Sequence, residues 1–118
     1  MNIGLIGEKI AAVYLSLKGY EIVEKNFIVK GGEIDLIARK NKVLIFVEVK
    51  TRTTRLGGYP EEAATVKKFF HLRHAAEFYL QNKKPTHIKE IRFDLISIMI
   101  NKMIPPQIKH FKNINFDG

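Results

Sequence analysis

Between Gly32 and Lys50 the chain reads Gly-Glu-Ile-Asp-Leu-Ile-Ala-Arg-Lys-Asn-Lys-Val-Leu-Ile-Phe-Val-Glu-Val-Lys, in which Glu33, Asp35, Glu48 and Lys50 fall at strand spacing. Side chains alternate across a strand, so Ile34, Leu36 and Ala38 share one face while Glu33, Asp35 and Ile37 share the other. In the second half Val43, Ile45, Val47 and Val49 form an aliphatic face, and Leu44, Phe46, Glu48 and Lys50 point the opposite way. With the reversal inside Arg39–Lys42, the two acidic faces coincide only when paired residue numbers sum to an odd value. A two-residue loop is expected to set Glu33 opposite Glu48; a four-residue loop sets Asp35 opposite Glu48 and Glu33 opposite Lys50. Either register gathers carboxylates and one lysine on a single patch.

Such a patch is costly by itself, because like charges facing each other across a strand pair repel. A divalent cation reverses the sign. Hard ions such as magnesium prefer oxygen ligands and take one or two protein carboxylates together with waters and phosphate oxygens. Lys50 would then hold or polarise an attacking water, or offset charge on a phosphate. The plainer alternative is the solvated face of an amphipathic hairpin. Ile37, Leu44 and Phe46 on the same face argue against it, since they call for cover at one end.

The rest of the chain must position this hairpin. Its 118 residues suffice for one core, and a single domain spanning 1–118 is expected, frayed from about residue 113. Hydrophobic residues make up 46%, which excludes general disorder. Twenty Lys and Arg stand against 12 Asp and Glu, a net charge of +8 that favours polyanionic partners, nucleic acid first. Cysteine is absent, which removes disulfides, thiolate metal sites and a cysteine nucleophile. The start Met-Asn-Ile-Gly-Leu-Ile-Gly-Glu does not resemble a signal peptide, and no apolar run approaches the roughly 18 residues of a membrane helix. A cytoplasmic protein without membrane contact is expected.

Residues 3 to about 18 carry helical periodicity, with Ile3, Ile6, Ile10, Val13, Tyr14 and Leu17 along one side. A second stripe, Leu5, Ala12 and Leu15, contains Glu8. That glutamate is either a wet first-turn acid favoured by the helix dipole or a functional carboxylate in need of a partner. Glu21–Val29 reads as a strand leading through Gly31-Gly32 into the hairpin, an antiparallel meander. After Lys50 a Thr- and Gly-rich loop leaves the same strand end, so Arg52 and Arg55 are either solvated or within reach of a phosphate backbone. Pro60-Glu61-Glu62 starts a helix running to about Gln81. Its polar side carries Lys67, Lys68, His71, Arg73 and His74, of which the lysines are candidates to face nucleic acid. His71 and His74 lack a third ligand for zinc. Glu90–Ile100 is a strand, joined to the one before by a crossover that calls for a parallel pair. Pro105-Pro106 breaks the chain, and Ile108–Phe116 is expected to add an edge strand.

This order, helix, three-strand meander, helix, strand, with acids on the first helix and second strand and Glu-x-Lys on the third, resembles the restriction-endonuclease-like core of the PD-(D/E)xK nucleases. The class it implies is α/β, an αβββαβ mixed sheet flanked by helices. Within that superfamily, Gly7-Glu8, Gly19-Tyr20, Asn26-Phe27, Gly32 to Ala38, Phe46 to Arg52 and Arg92-Phe93-Asp94 resemble the YraN family of small bacterial proteins, described as candidate endonucleases. The resemblance covers nearly the whole chain. It implies that Asp35 and Glu48 are metal ligands and that Lys50 positions or activates water. Glu8 matches a first-helix glutamate at the metal site of archaeal Holliday-junction resolvases, and so joins the implied ligands. Where the superfamily name has Pro-Asp, this chain has Ile34-Asp35, which leaves the ligand intact.

The resulting expectation is an endonuclease dependent on Mg2+ or Mn2+ that hydrolyses phosphodiesters. Arg52, Arg55, Lys67 and Lys68 would contact the backbone. DNA is favoured over RNA, and structured or branched DNA over a short recognition sequence, because no spare domain exists to read bases. A homodimer would suit a cut in both strands. The alternatives are a non-catalytic nucleic-acid-binding or adaptor module on this fold, and a protein-interaction domain whose charge concerns only solubility.

Overall fold

The computed structural model describes residues 2–53, 66–101 and 104–114, apart from the side chains of Val66 and Lys67. Its elements are α1 (Ile3–Leu17), β1 (Glu21–Val29), β2 (Gly32–Lys40), β3 (Val43–Arg52), α2 (Val66–Lys83), β4 (Glu90–Asn101) and β5 (Ile104–Phe111). The strands form one sheet in the order β1-β2-β3-β4-β5. Only β3 and β4 run parallel, as the helical crossover between them requires. This is the expected αβββαβ core with one added edge strand, and it is compatible with a restriction-endonuclease-like fold. The helix start expected at Pro60 lies outside the described residues.

Each sheet face carries one helix. Ala11, Ala12 and Leu15 of α1 pack on Leu36, Ala38, Ile45, Val47, Val49, Ile96 and Ile98. On the other side Leu72, Ala75, Ala76 and Tyr79 of α2 cover Ile34, Ile37, Leu44 and Phe46. In α1 the structure buries Gly7, Ala11, Ala12 and Leu15, while of the larger residues on the alternative side Ile10 and Tyr14 pack only partly on the core and Val13 and Leu17 are 60% and 82% exposed. Small residues win because the helix lies very close to the sheet. A Cβ on Gly7 would collide with the Thr51 side chain. On the opposite face α2 makes an equally close approach, and a Cβ on Gly32 would run into the His71 carbonyl.

Three other expectations are corrected. The β2–β3 pairing joins Lys40 to Val43 and Leu36 to Val47, so Asn41-Lys42 form a two-residue loop. The register is nevertheless the one that brings Asp35 towards Glu48, which the expected loop counting had tied to four residues. Asn41 adopts a φ of 56°, the left-handed conformation that tight hairpin turns require and that asparagine tolerates. Second, Pro105-Pro106 do not break the chain but lie within β5. The register slips between Met99 and Asn101, which leaves the prolines at a bulge on the sheet's outer edge, where no ladder donor is lost. Third, residues 113 and 114 are held rather than frayed. The Asn113 amide donates to Asp94 Oδ1 at 3.0 Å and the Ile114 amide to the Phe93 carbonyl at 2.7 Å.

Asp94, fully buried, ties the α1 face together. Arg92 donates to its carboxylate twice, at 2.9 and 3.0 Å, and also to the Tyr20 hydroxyl at 2.9 Å. His110 Nε2 lies 2.7 Å from Asp94 Oδ2, and its Nδ1 shares a 3.0 Å hydrogen bond with the Tyr14 hydroxyl. Burial works to raise the Asp94 pKa, but the hydrogen bonds from His110, Arg92 and the Asn113 amide outweigh it and hold the carboxyl below its ordinary value. A depressed carboxylate contributes stability above its unfolded-state pKa and loses it as pH falls through the folded value. Replacing Asp94 by Ala strands the partly buried Arg92 guanidinium and leaves His110 and the Asn113 amide without their acceptor, and is expected to cost about 3–5 kcal/mol in urea unfolding at pH 7. That difference from wild type should shrink as the pH is taken below about 4.

Candidate metal and phosphodiester site

The hairpin does not stay paired to its end. Past Leu36 and Val47, β2 continues alone with β1 to Gly32, while β3 continues alone with β4 to Arg52. The sheet forks there. At the fork the Val49 amide, left without a partner on β2, donates to Asp35 Oδ2 at 2.8 Å. A side chain has taken the place of a backbone acceptor, which fixes the carboxylate in the opening.

Asn26 explains how Asp35 reaches that position. The pairing of β1 with β2 runs from Lys25–Leu36 to Phe27–Ile34 and omits the intervening pair, Asn26 and Asp35. Asn26 has a φ of 51°, and the alternation of exposure along β1 is interrupted by two successive exposed residues, Lys25 and Asn26. The ribbon therefore changes sides. Leu36 and Ala38 pack under α1, whereas Ile34, expected on the same face, packs under α2. Asp35 stands at the crossing, where it can meet groups from both helices.

Three of the four expected catalytic residues converge on it. Glu8 occupies the second turn of α1, beyond the first-turn position at which the dipole would have accounted for it. Its carboxyl hydrogen-bonds both the Asn26 side chain and Asp35. Glu48 arrives from β3, one register step beyond Val47, on the α2 side. Lys50 follows two residues on, its Nζ 4.0 Å from Glu48 Oε1, and Lys68 of α2 brings a second ammonium to 3.6 Å from the same oxygen. Glu33 stands exposed at the rim. A cleft of about 330 Å³ opens beside them, lined by Gly32, Glu33, Glu48, Lys68 and His71 among others.

Crowding shows in the proton affinities. Burial raises the pKa of Glu8, and the neighbouring Asp35 charge raises it further. Asp35 is raised by burial against the opposing pull of the Val49 amide. Glu48 is pushed up to about 7 by burial and by the Asp35 charge, although Lys68 opposes the shift. The three carboxyls resist ionising beside one another, and each offers only oxygen donors. Among the described residues no three acidic or histidine side chains are arranged as a ready-made cage. Asp35 and Glu48 suit a hard cation that keeps several waters, with Glu8 beside them.

Of the residues expected to contact a nucleic-acid backbone, Lys68 is at the cleft. Arg52 ends β3, partly buried, on the face of Glu48 and Lys50 by strand alternation. Arg55 and the Lys67 side chain lie outside the described residues. Two participants were missed from sequence. Asn26 was legible only as part of a motif block; a polar residue between Ile22-Val23 and Phe27-Ile28-Val29, where strand alternation changes phase, was the available signal. His71, which the sequence offers only as half of a zinc pair, lines the cleft one helical turn from Lys68.

No helix among the described residues is long and apolar enough to cross a membrane. The model of the uncharacterised protein family UPF0102 matches residues 7–98, a span that contains Glu8, Asp35, Glu48 and Lys50 and the main motif blocks named above. A UPF0102 protein of Syntrophomonas wolfei is 47% identical over 99 residues, covering 84% of this chain and 85% of the relative. One from Dictyoglomus turgidum is 44% identical over 100 residues, covering 85% and 84%. A third, from Caldanaerobacter subterraneus, is 43% identical over 114 residues and covers 95% and 93%. With a family match over most of its length and relatives of this identity spanning nearly the same extent, the chain belongs to the UPF0102 family.

Proposed function

We propose that this protein is a metal-dependent endonuclease of the PD-(D/E)xK superfamily, acting on structured or branched DNA. The observation that carries the reading is the meeting of Glu8, Asp35 and Glu48 at the sheet fork, each with a raised proton affinity, beside Lys50. An arrangement that places three carboxyls where none ionises easily is destabilising unless a cation joins it. Asp35 and Glu48, with Glu8, would hold Mg2+ or Mn2+, and the bound ion would supply Lewis-acid polarisation of the phosphate and a more acidic water. Lys50, partly buried, orients the attacking water and offsets charge developing on the phosphate. Lys68 and His71 line the approach. The +8 net charge and the basic residues Arg52, Arg55, Lys67 and Lys68 favour backbone contacts that are independent of sequence. A cytoplasmic location and a homodimer for paired cuts fit this reading.

One observation favours a second reading, a nucleic-acid-binding module that does not cut. Lys50 and Lys68 already place two fixed positive charges within 4.0 Å of Glu48 Oε1 and so compensate part of what a metal would.

The test is cleavage of labelled single strand, duplex, flap, four-way junction and their RNA equivalents with magnesium, manganese or chelator. Cutting should require metal, favour the branched DNA, and fall at least about 100-fold in Lys50→Ala. Tight, salt-sensitive binding without cutting by the wild type in any metal would support the second reading instead.

The proton affinity of Glu48 gives a prediction that needs no substrate. Its folded pKa of about 7 lies above the unfolded value near 4.5, so the folded state binds the extra proton in that interval. Stability of the metal-free protein therefore falls as pH rises from about 4.5 to 7. Glu48→Gln should be more stable than wild type at pH 8 by roughly 1–3 kcal/mol in urea unfolding without metal. Added magnesium should narrow the gap by stabilising the wild type alone. Magnesium affinity should itself rise about fivefold from pH 6 to 7, read by calorimetry, as the competing proton on Glu48 is lost.

A further inference from the structure

A second concavity, of about 740 Å³, lies between the end of β1 and the C-terminal half of α2. Its floor is apolar, formed by Phe27, Ile28 and Phe78, and its rim is basic, with Lys30, His74 and Lys83. No acidic side chain lines it among the described residues. Ile28 is 70% exposed and Phe78 44%, a large apolar surface to leave in water beside a folded core. The Phe27 and Phe78 ring centroids are 6.4 Å apart with planes inclined at 43°, so Phe27 backs Phe78 and holds one of its edges. His74 is fixed by a 3.1 Å hydrogen bond with the Lys30 carbonyl.

The groove is continuous with the acidic cleft. Ile28 and Val29 line both. Along α2 the residues facing the two concavities follow at helical intervals, Lys68 and His71 in the cleft, then His74, Phe78 and Asn82 in the groove. From residue 68 to 78 this track is about 15 Å long at the α-helical rise. Its chemistry changes along its length from charged at the cleft to aromatic and basic at the far end.

We propose that the groove holds unpaired nucleotides of a nucleic-acid strand, with a base stacked on Phe78 against Ile28 and the adjoining phosphates met by Lys30 and Lys83. Aromatic surface flanked by cations is how single strands are gripped without reading their sequence. A second copy of the chain is the other candidate for an exposed apolar surface. A two-fold contact would turn the groove on itself and bring Lys30, His74 and Lys83 against the same basic rim, with no acid to meet them. A strand of phosphates meets that rim with opposite charge. The proposal rests on the reading above that this protein handles nucleic acid, and gives its branched substrate a chemical meaning: the cleft takes the scissile phosphate and the groove takes the adjoining unpaired arm.

The experiment is equilibrium binding of a fluorescent single-stranded oligonucleotide and the matching blunt duplex, in chelator so that no cutting intervenes. Phe78→Ala and Phe78→Leu should weaken the single strand by about 5- to 150-fold and leave the duplex nearly unchanged, while Phe78→Tyr retains wild-type affinity. The leucine variant keeps apolar bulk at this half-exposed position, so its loss reports the ring rather than the fold. The chain has no tryptophan, so Phe78→Trp provides a single indole whose emission should be quenched by the strand. Equal single-strand affinity across the alanine, leucine and wild-type proteins, or an unquenched indole, overturns the proposal. So does loss of self-association in Phe78→Ala, by sedimentation, with strand binding intact. A wild type that grips the strand through Phe78 yet never cuts with metal retains the groove and removes the nuclease. Cutting without dependence on Phe78 does the reverse.

Discussion

The hydrogen bond from the Val49 amide to Asp35 stands where a strand-to-strand bond would otherwise be, and the geometry around the site follows from that exchange. A sheet that zipped to its end would set Asp35 and Glu48 side by side with no space between them. Because β2 and β3 part after Leu36 and Val47, their backbone groups need other partners, and a carboxylate supplies one at the cost of its own freedom. The same parting gives room for a glutamate from α1 on one side and a lysine from α2 on the other. Burial first, and neighbouring acidic charge second, raises all three carboxyl pKa values, and the protein keeps a local instability at the position where a ligand would relieve it.

Keeping a fork open requires bracing on both sides. The helices do this by close contact rather than by bulk. Gly7 lets α1 rest on Thr51, immediately after Lys50, and Gly32 lets α2 rest its His71 carbonyl at the start of β2, immediately before Glu33. Each contact lies within one residue of a charged group at the cleft. Behind them, Phe46 packs against Tyr79 and Phe93, with ring centroids 6.0 and 5.6 Å away, and fills the α2 face up to Glu48. Aromatic packing of this kind fixes where the polar end of the strand begins.

Strand alternation alone revealed the acidic hairpin, the parity that joins its two acids, and the alternation of strand and helix that demands one parallel pair. Those features rest on local periodicity, which a chain displays openly. What escaped depended on contacts made elsewhere. A two-residue turn is among the reversals Arg39–Lys42 allows, but local periodicity does not say which two residues form it; the left-handed Asn41 places it at Asn41-Lys42 and so sets the register that the four-residue loop was expected to give. Ile34 was assigned to the wrong face because Asn26, on a neighbouring strand, shifts the phase of the ribbon. The buried side of α1 was ambiguous, since hydrophobicity marks the larger residues and close approach selects the smaller ones. Pro105-Pro106 signals an end of structure in isolation, and only the presence of a sheet edge makes it a strand. For the site, residue types and spacing were legible, whereas Lys68 facing Glu48 and His71 beside it needed the crossover to be folded.

The buried network around Asp94 has a consequence for the order in which the protein is made. His110 bridges Asp94 and Tyr14, a pairing that spans 96 residues, and the Asn113 amide completes the carboxylate's partners. Helix α1 is synthesised before the strands, yet its seat on the sheet is finished by groups from β5 and the residues just beyond it. Contacts of such separation form late, because a long loop must close before they repay its entropy. Glu8 rides on that helix, so of the three carboxyls at the fork the one synthesised before the others sits on the element braced by residues nearly a hundred positions away.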